Sequence, residues 1–356
     1  MSESHETAVG KILLTDTHAH YDDHAFDADR EEILSRKLPE AGIGRVVDIA
    51  AAFPSLEETV RLAEKYDYVY ASLGLHPSDV WEILDRLETG REAELMTDTQ
   101  FERWQEFQGL SEKRRRESEA VLAGEAEGSE KGLMFHGYLF QGRERDLLDH
   151  VLMILLTNAQ HPKVVAIGEI GLDYHWHQED LPRQKAWFAA QILAAKALSL
   201  PVVIHSRDAA QDTLELLEGY YPKRLEADRI KTECPDADRA FDPVCGVMHC
   251  YSYKWEMALD YVKMGFLIGI GGSSTYGRAK HKKGKLYQVI REVPLESMVL
   301  ETDAPYQTPE SHRGERNDSS LLYEVAEYIA EIKGCTTEEV VAVTRDNAFR
   351  LYPKMK

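Results

Sequence analysis

Apolar and polar positions along the chain fall into a repeating order. Short apolar segments rich in Val, Ile and Leu alternate with longer stretches in which apolar residues return every three or four positions. Eight such segments stand out, at 12–16, 45–50, 69–73, 164–168, 202–204, 246–248, 266–270 and 298–301. Most are continuous apolar runs rather than strict alternations, the pattern of parallel strands covered on both faces. Between them, 183–199 carries Phe188, Ile192 and Ala195 at helical spacing, and 254–264, 319–333 and 336–351 also read as helices. Eight strand–helix units predict a (β/α)8 TIM barrel. A doubly wound open sheet is the alternative. It needs a Gly-rich phosphate turn after the first strand, and THAHYDDH is not one.

The chain has 356 residues, whereas a barrel of this kind typically takes about 250. The surplus sits in two insertions within a single domain spanning 1–356. One is an extended charged segment at about 86–132, between the third and fourth strands, containing EKRRRESEA and GEAEGSEKG. It reads as a solvated helix and turn outside the barrel, removable without unfolding it, or as a lid or subunit contact over the site. The other, about 219–245, carries Pro222, Pro235 and Pro243 and reads as a loop.

Composition narrows the function classes. The apolar share of 43% supports a large core. No apolar run approaches the roughly 20 residues that cross a bilayer, so no membrane role is expected. The start lacks a basic segment followed by an apolar one, as a secretory signal would show. Cys234, Cys245, Cys250 and Cys335 form no C-x-x-C pair, which favours a reducing cytoplasm. The net charge of −20 argues against coating nucleic acid through a broad basic surface. It leaves open an enzyme that takes a nucleic-acid end into a small pocket, because bound metal ions supply local positive charge. Nothing implies an obligate protein partner.

The chemistry lies at the strand ends. The first strand runs into D-T-H-A-H, placing His18 and His20 two residues apart and therefore on one side of an extended chain. The third runs into G-L-H-P with His76, and the fourth into G-E-I-G-L-D-Y with Glu169. The fifth runs into I-H-S-R-D with His205 and Arg207, the sixth into M-H-C-Y-S with His249, and the eighth into L-E-T-D-A-P-Y with Glu301 and Asp303. Taken singly these have plain readings: Asp208 as a helix cap, Asp303 as a turn residue, Cys250 as packing, and 269–272 (GIGG) as a tight turn. Jointly, His18, His20, Glu169, His205, His249 and Asp303 come from five strands, and a barrel gathers their ends on one rim. Imidazoles with carboxylates suit Zn, Mn or Fe better than an all-oxygen cage. Six ligands exceed the three protein groups usual for one catalytic zinc, so two ions sharing a carboxylate are expected.

These motifs together resemble the TatD family of metal-dependent deoxyribonucleases, within the amidohydrolase-like barrels. D-T-H-A-H-Y, GEIGLDY, IHSRDA, MHCYS and LETDAPY match in order, and the resemblance covers the chain outside the two insertions. It implies hydrolysis of phosphodiester bonds in DNA, with two divalent ions (Mg, Mn or Zn) as cofactors. It also implies His18, His20 and Asp303 on one ion, and Glu169 bridging to a second held by His205 and His249. Arg207, with Arg313, Arg316 and Asn317 of the HRGERN stretch, resembles positions near the family's substrate pocket, where His76 is also expected. Tyr251, Ser252, Tyr253 and Lys254 depart from the family's Phe-Ser-Gly-Ser run and alter one rim loop.

The expected mechanism is attack of activated water on phosphorus. Asp303 accepts the proton, and Glu169 and Arg207 complete the catalytic set. The net charge favours single-stranded DNA ends over long duplex, hence exonuclease action. Two other readings remain: an amide or ester hydrolase (a lactonase or aminoacyl-ester deacylase) on the same centre, and a non-catalytic barrel scaffold.

Overall fold

The structure is a computed structural model that describes residues 13–50, 52–91, 102, 112–122, 125–129, 132–176, 180–221, 244–278 and 284–355. Its strands, in chain order, are β1 (Leu14–Ala19), β2 (Ile43–Ala50), β3 (Val69–Leu73), β4 (Ala126–Ser129), β5 (Gly132–Phe135), β6 (Tyr138–Phe140), β7 (Val164–Asp173), β8 (Val202–Arg207), β9 (Gly246–Met248), β10 (Phe266–Ile270) and β11 (Met298–Leu300). Eight of them form one parallel sheet in the order β1-β2-β3-β7-β8-β9-β10-β11. Helices lie between consecutive strands, giving the nearly closed TIM barrel that the pattern predicts.

The eight apolar segments all become barrel strands, but several run further than their apolar part. β1 spans 14–19 rather than 12–16, β7 continues to Asp173 rather than stopping at Gly168, and β8 continues to Arg207. Hydrophobicity ends where the barrel mouth becomes polar, while the hydrogen-bond ladder goes on, so His18, Glu169 and His205 lie within strands, and His20, His249 and Asp303 follow just after strand ends.

Two apolar layers follow from the alternation of side chains along a strand. Val47, Ile49, Tyr70, Val165, Val203, Val247, Leu267 and Val299 fill the barrel interior, joined by Leu351, Tyr352 and Met355 from the chain's C-terminal end. Val46, Leu73, Val202, Ile204, Met248, Ile268 and Leu300 face the helices in the larger cluster. Counting in twos from inward-facing Val203, Val247 and Val299 leads to His205, His249 and Glu301.

The seam between β1 and β11 is closed partly by the residues after β11. Asp303 N and Thr302 N donate to His18 O, and His20 N donates to Ala304 O. Buried Asp16 reinforces this seam. It accepts from His18 N and Thr302 N at 3.1 Å each, and from the Thr302 and Ser319 hydroxyls at 2.6 Å each. Burial pushes its carboxyl up to about 6, against these four hydrogen bonds.

The first insertion is more tightly built than its sequence suggests. Residue 86 falls inside the helix Pro77–Thr89, and Leu87 is buried, so a deletion starting there cuts into the core. Within the insertion, the helix Glu112–Val121 buries Ser118 against Asp149. The antiparallel strands β4, β5 and β6 place Phe135 and Phe140 in the core, and Phe140 meets Trp187 edge to face. Residue 219 likewise lies inside the helix Ala210–Tyr220. Most of the second insertion, with its three prolines, lies outside the described residues.

Candidate metal centre

His18, His20, Glu169 and Asp303 meet at the barrel mouth. His18 Nε2 lies 3.1 Å from His20 Nε2, 3.4 Å from Glu169 Oε2 and 3.7 Å from Asp303 Oδ1. His20 Nε2 lies 3.4 Å from Asp303 Oδ1 and 3.9 Å from Glu169 Oε2. Ligand atoms about 2.1 Å from a zinc-like ion stand roughly 3.0–3.4 Å from one another, in octahedral and tetrahedral arrangements respectively. The donor set therefore fits a cation. His20 Nδ1 donates to Ile49 O at 2.8 Å, which leaves Nε2 as its ligand atom.

Glu169 is the centre of the arrangement. Its Oε2 faces His18 and His20, while its Oε1 lies 2.8 Å from His205 Nδ1 and 3.9 Å from His249 Nε2. His249 Nε2 is also 3.5 Å from Asp303 Oδ1, and its ring stacks on His18 with centroids 3.4 Å apart. All six ligand candidates thus come together.

The electrostatics point the same way. Asp303, Glu169, Asp173 and Glu301 pair only with histidines among the described residues, and no Lys or Arg offsets them. Burial opposes the charges on Glu169 and Asp303, but His249 and the neighbouring imidazoles hold both carboxyls well below the usual range. Burial and adjacent His249 lower His18 to about 4. Burial also opposes charge on His20, yet Asp303 and Glu169 raise it to about 10. Against the same burial, Glu301, Glu169 and Asp303 push His249 well up. A buried cluster with this excess of carboxylates calls for cations.

Two residues that the sequence leaves without a role hold the ligands in place. Asp173 accepts from His205 Nε2 at 3.1 Å, so His205 presents Nδ1 to Glu169. Glu169, Gly171 and Asp173 alternate along β7, a spacing that could have revealed Asp173 as a third inward residue. Gly171 is required because a Cβ there would meet His205 O at 1.9 Å. Glu301 faces His249 Nδ1 at 3.2 Å and accepts from Cys250 N at 2.6 Å. A Cβ on Gly269 would lie 2.2 Å from the Glu301 carboxylate, so the 269–272 glycines begin by making room for it. Glu301→Gln is expected to lower metal affinity or kcat about 10–100-fold, the usual cost of losing a carboxylate behind a ligand histidine. Metal titration and steady-state kinetics check this, and an unchanged variant would remove Glu301 from the support.

The chain folds to this arrangement partly through the helix Leu181–Leu198, whose Gln184 and Gln191 lie two turns apart on one face. The Gln184 amide accepts from Asp173 N at 2.9 Å and donates to Asp173 O at 3.0 Å. The Gln191 amide does the same for Leu75, at 2.8 and 3.1 Å, fixing the loop that carries His76.

The other expected site residues divide. His76 lies edge-on to His205, with centroids 4.2 Å apart, and accepts from Ser78 N at the start of its helix. Arg207 is exposed, with its guanidinium over the Trp176 ring rather than on the acidic cluster. Arg313 lies over the exposed ring of Tyr276. Arg316 is committed elsewhere, to a bidentate pair with Asp29 and to the face of Phe26. Asn317 is 0% exposed and donates to Thr302 O and Tyr306 O, so it braces the Asp303 loop instead of meeting substrate. Asp208 pairs with His175. Burial pushes the Cys250 thiol up to about 12, consistent with packing rather than nucleophilic attack. The divergent Tyr253 bonds Ser206 Oγ at 2.9 Å and receives Ala209 N, bracing the turn after β8.

A family model for TatD-related DNases matches residues 15–353. The chain belongs to the TatD family. It is 30% identical over 340 residues to the metal-dependent hydrolase YabD of Bacillus subtilis, covering 96% of this chain and 99% of that one. It is 26% identical over 350 residues to the human deoxyribonuclease TATDN3, covering 97% and 96%. The solved structure of the TatD homologue YjjV from Escherichia coli superposes with a TM-score of 0.65 at 26% identity, covering 97% of this chain and 99% of that one. As a TatD family member the protein is a metal-dependent hydrolase, and groups that could hold a metal ion are present among its described residues. No helix among those residues is long and apolar enough to cross a membrane.

Proposed function

We propose that this protein is a two-ion phosphodiesterase that removes nucleotides from the ends of single-stranded DNA. The observation that carries this reading is the Glu169 carboxylate, which offers one oxygen to the His18–His20 pair and the other to His205 and His249. His18, His20 and Asp303 would hold one divalent ion, His205 and His249 the second, and Glu169 both. Such ions, Mg, Mn or Zn, supply a nucleophilic water at neutral pH and polarise a phosphoryl oxygen.

The chain's own residues do the rest. Asp303 is ionised, its Oδ1 faces the ligand imidazoles and its Oδ2 accepts from Gln307 at 3.0 Å, and this fixed carboxylate would take the proton from the attacking water. His76 is held in one tautomer. Because Nδ1 accepts from Ser78 N, the proton sits on Nε2. Burial and nearby His205 lower its pKa to about 3, so it is a neutral donor at the N-terminus of the helix Pro77–Thr89, a setting that suits a phosphate oxygen.

Two further facts favour DNA ends. A relative spanning nearly the whole chain is named a deoxyribonuclease. A surface of net charge −20 repels long duplex but admits one or two phosphates at a cation centre. The described cysteines Cys250 and Cys335 are free thiols, which suits a cytoplasmic enzyme.

The test is a time course on end-labelled single-stranded and double-stranded oligonucleotides with Mn or Mg. A ladder shortening from one end of the single strand is expected, abolished by chelator and restored by added metal. Rapid cuts inside a closed circular duplex, activity surviving full metal removal, or turnover of esters or amides but no nucleic acid would overturn the proposal.

A further inference from the structure

Trp176 is 63% exposed, more than any other large hydrophobic side chain among the described residues. Exposing an indole to water is unfavourable unless something covers it in use. Its position is fixed with unusual care. Trp176 N donates to Asp173 Oδ1 at 3.2 Å, and Asp173 Oδ2 accepts from His205 Nε2 at 3.1 Å. One carboxylate therefore locks both the Trp176 backbone and a ligand histidine. Asp173 pairs with Arg207 across β7 and β8, and Tyr174 N donates to Arg207 O at 2.9 Å. This register brings the Arg207 guanidinium 5.5 Å from the Trp176 ring centroid, while the His175 ring stands perpendicular to it with centroids 4.6 Å apart. Gln184 holds the Asp173 backbone from the helix behind.

We propose that Trp176, backed by Arg207, is a stacking platform for a nucleobase of the substrate, next to the phosphate that reacts. This rests on the phosphodiesterase reading and assigns the part of the site that takes a base. An aromatic face stacks on every base, and a guanidinium adds attraction for both base and backbone phosphate. The platform makes no use of base-edge hydrogen bonds, so it gives affinity with little sequence preference. It also favours single strands, because a paired and stacked base has no free face to offer.

The experiment compares the intact enzyme with Trp176→Ala and Trp176→Phe. The substrates are an end-labelled oligothymidylate and the same strand with abasic residues at its last three positions. On the normal strand, Trp176→Ala is expected to raise KM about 10–100-fold, the range for losing one base–aromatic stack. Its kcat and metal content should stay near those of the parent, and Trp176→Phe should keep most of the affinity. On the abasic strand the parent and Trp176→Ala should have similar, weak KM values. The parent's tryptophan fluorescence should be quenched by oligothymidylate, and that of Trp176→Phe much less. Equal KM for parent and Trp176→Ala on the normal strand, equal losses on both strands, or a quench independent of Trp176 overturns the inference. So does loss of a dimer in Trp176→Ala with unchanged KM, which assigns the ring to a protein interface. Failure of the phosphodiesterase reading is separate, since the parent would then cleave neither strand.

Discussion

Replacing Asp303 by Asn is expected to lower kcat about 10²–10⁴-fold, the usual loss when a positioned proton acceptor is removed. The fold and much of the metal should remain. Asn is nearly the same size, and its carbonyl oxygen can still face His20 and a cation. What it cannot do is accept a proton from water. Asp303 is suited to that role because neighbouring imidazoles keep it ionised and Gln307 fixes its second oxygen. Its backbone is held too, by Asp303 N donating to His18 O and by Asn317 bracing the loop. Steady-state kinetics on a labelled oligonucleotide, with metal content and melting temperature measured on the same samples, check the expectation. Full activity in this variant would exclude Asp303 as the base.

Glu169→Gln should be equally damaging, but through the metal. The parent is expected to bind close to two divalent ions per chain, and the variant one or fewer. Its activity loss should exceed the about 10–100-fold that follows loss of an outer-shell partner. The reason is geometric. Both oxygens of Glu169 are in use, Oε2 toward His18 and His20 and Oε1 toward His205 and His249. Gln has one good ligand oxygen and an amide nitrogen that repels a cation. Equilibrium dialysis with metal analysis measures the stoichiometry. Two ions retained in Glu169→Gln would mean that the carboxylate is not shared.

How much of this was legible differs by feature. The ligand set could be read because each candidate ends an apolar segment, and a barrel has only one mouth at which such ends gather. Asp173 and Asp16 were harder. Both sit inside the quoted motifs, yet neither is a candidate by residue type alone, since buried carboxylates also serve as simple hydrogen-bond acceptors. Asp173 is recognisable only when β7 is seen to continue past Gly168 and hold the 169, 171, 173 alternation. Trp176 gave no signal, because sequence says nothing about exposure. Arg316 and Asn317 show the converse. Their residue types suit phosphate binding, but one is tied to Asp29 and the other is buried against main chain.

The sequence by itself determined the barrel, the order of its strands and the six ligand candidates that gather at the mouth. Those depend on local hydrophobic runs and on the alternation of residues along each strand, both of which are written in the order of amino acids. The tertiary structure alone decided where strands stop, which polar side chains stand behind the ligands, and how firmly the insertion is packed. Strand ends follow hydrogen-bond ladders rather than hydrophobicity, so β7 and β8 run on through charged residues. The partners of His205 and His249 come from other parts of the barrel, Asp173 of β7 beside His205 and Glu301, just after β11, beside His249. Such pairings are set by distances across the closed barrel, which no local pattern in the chain encodes.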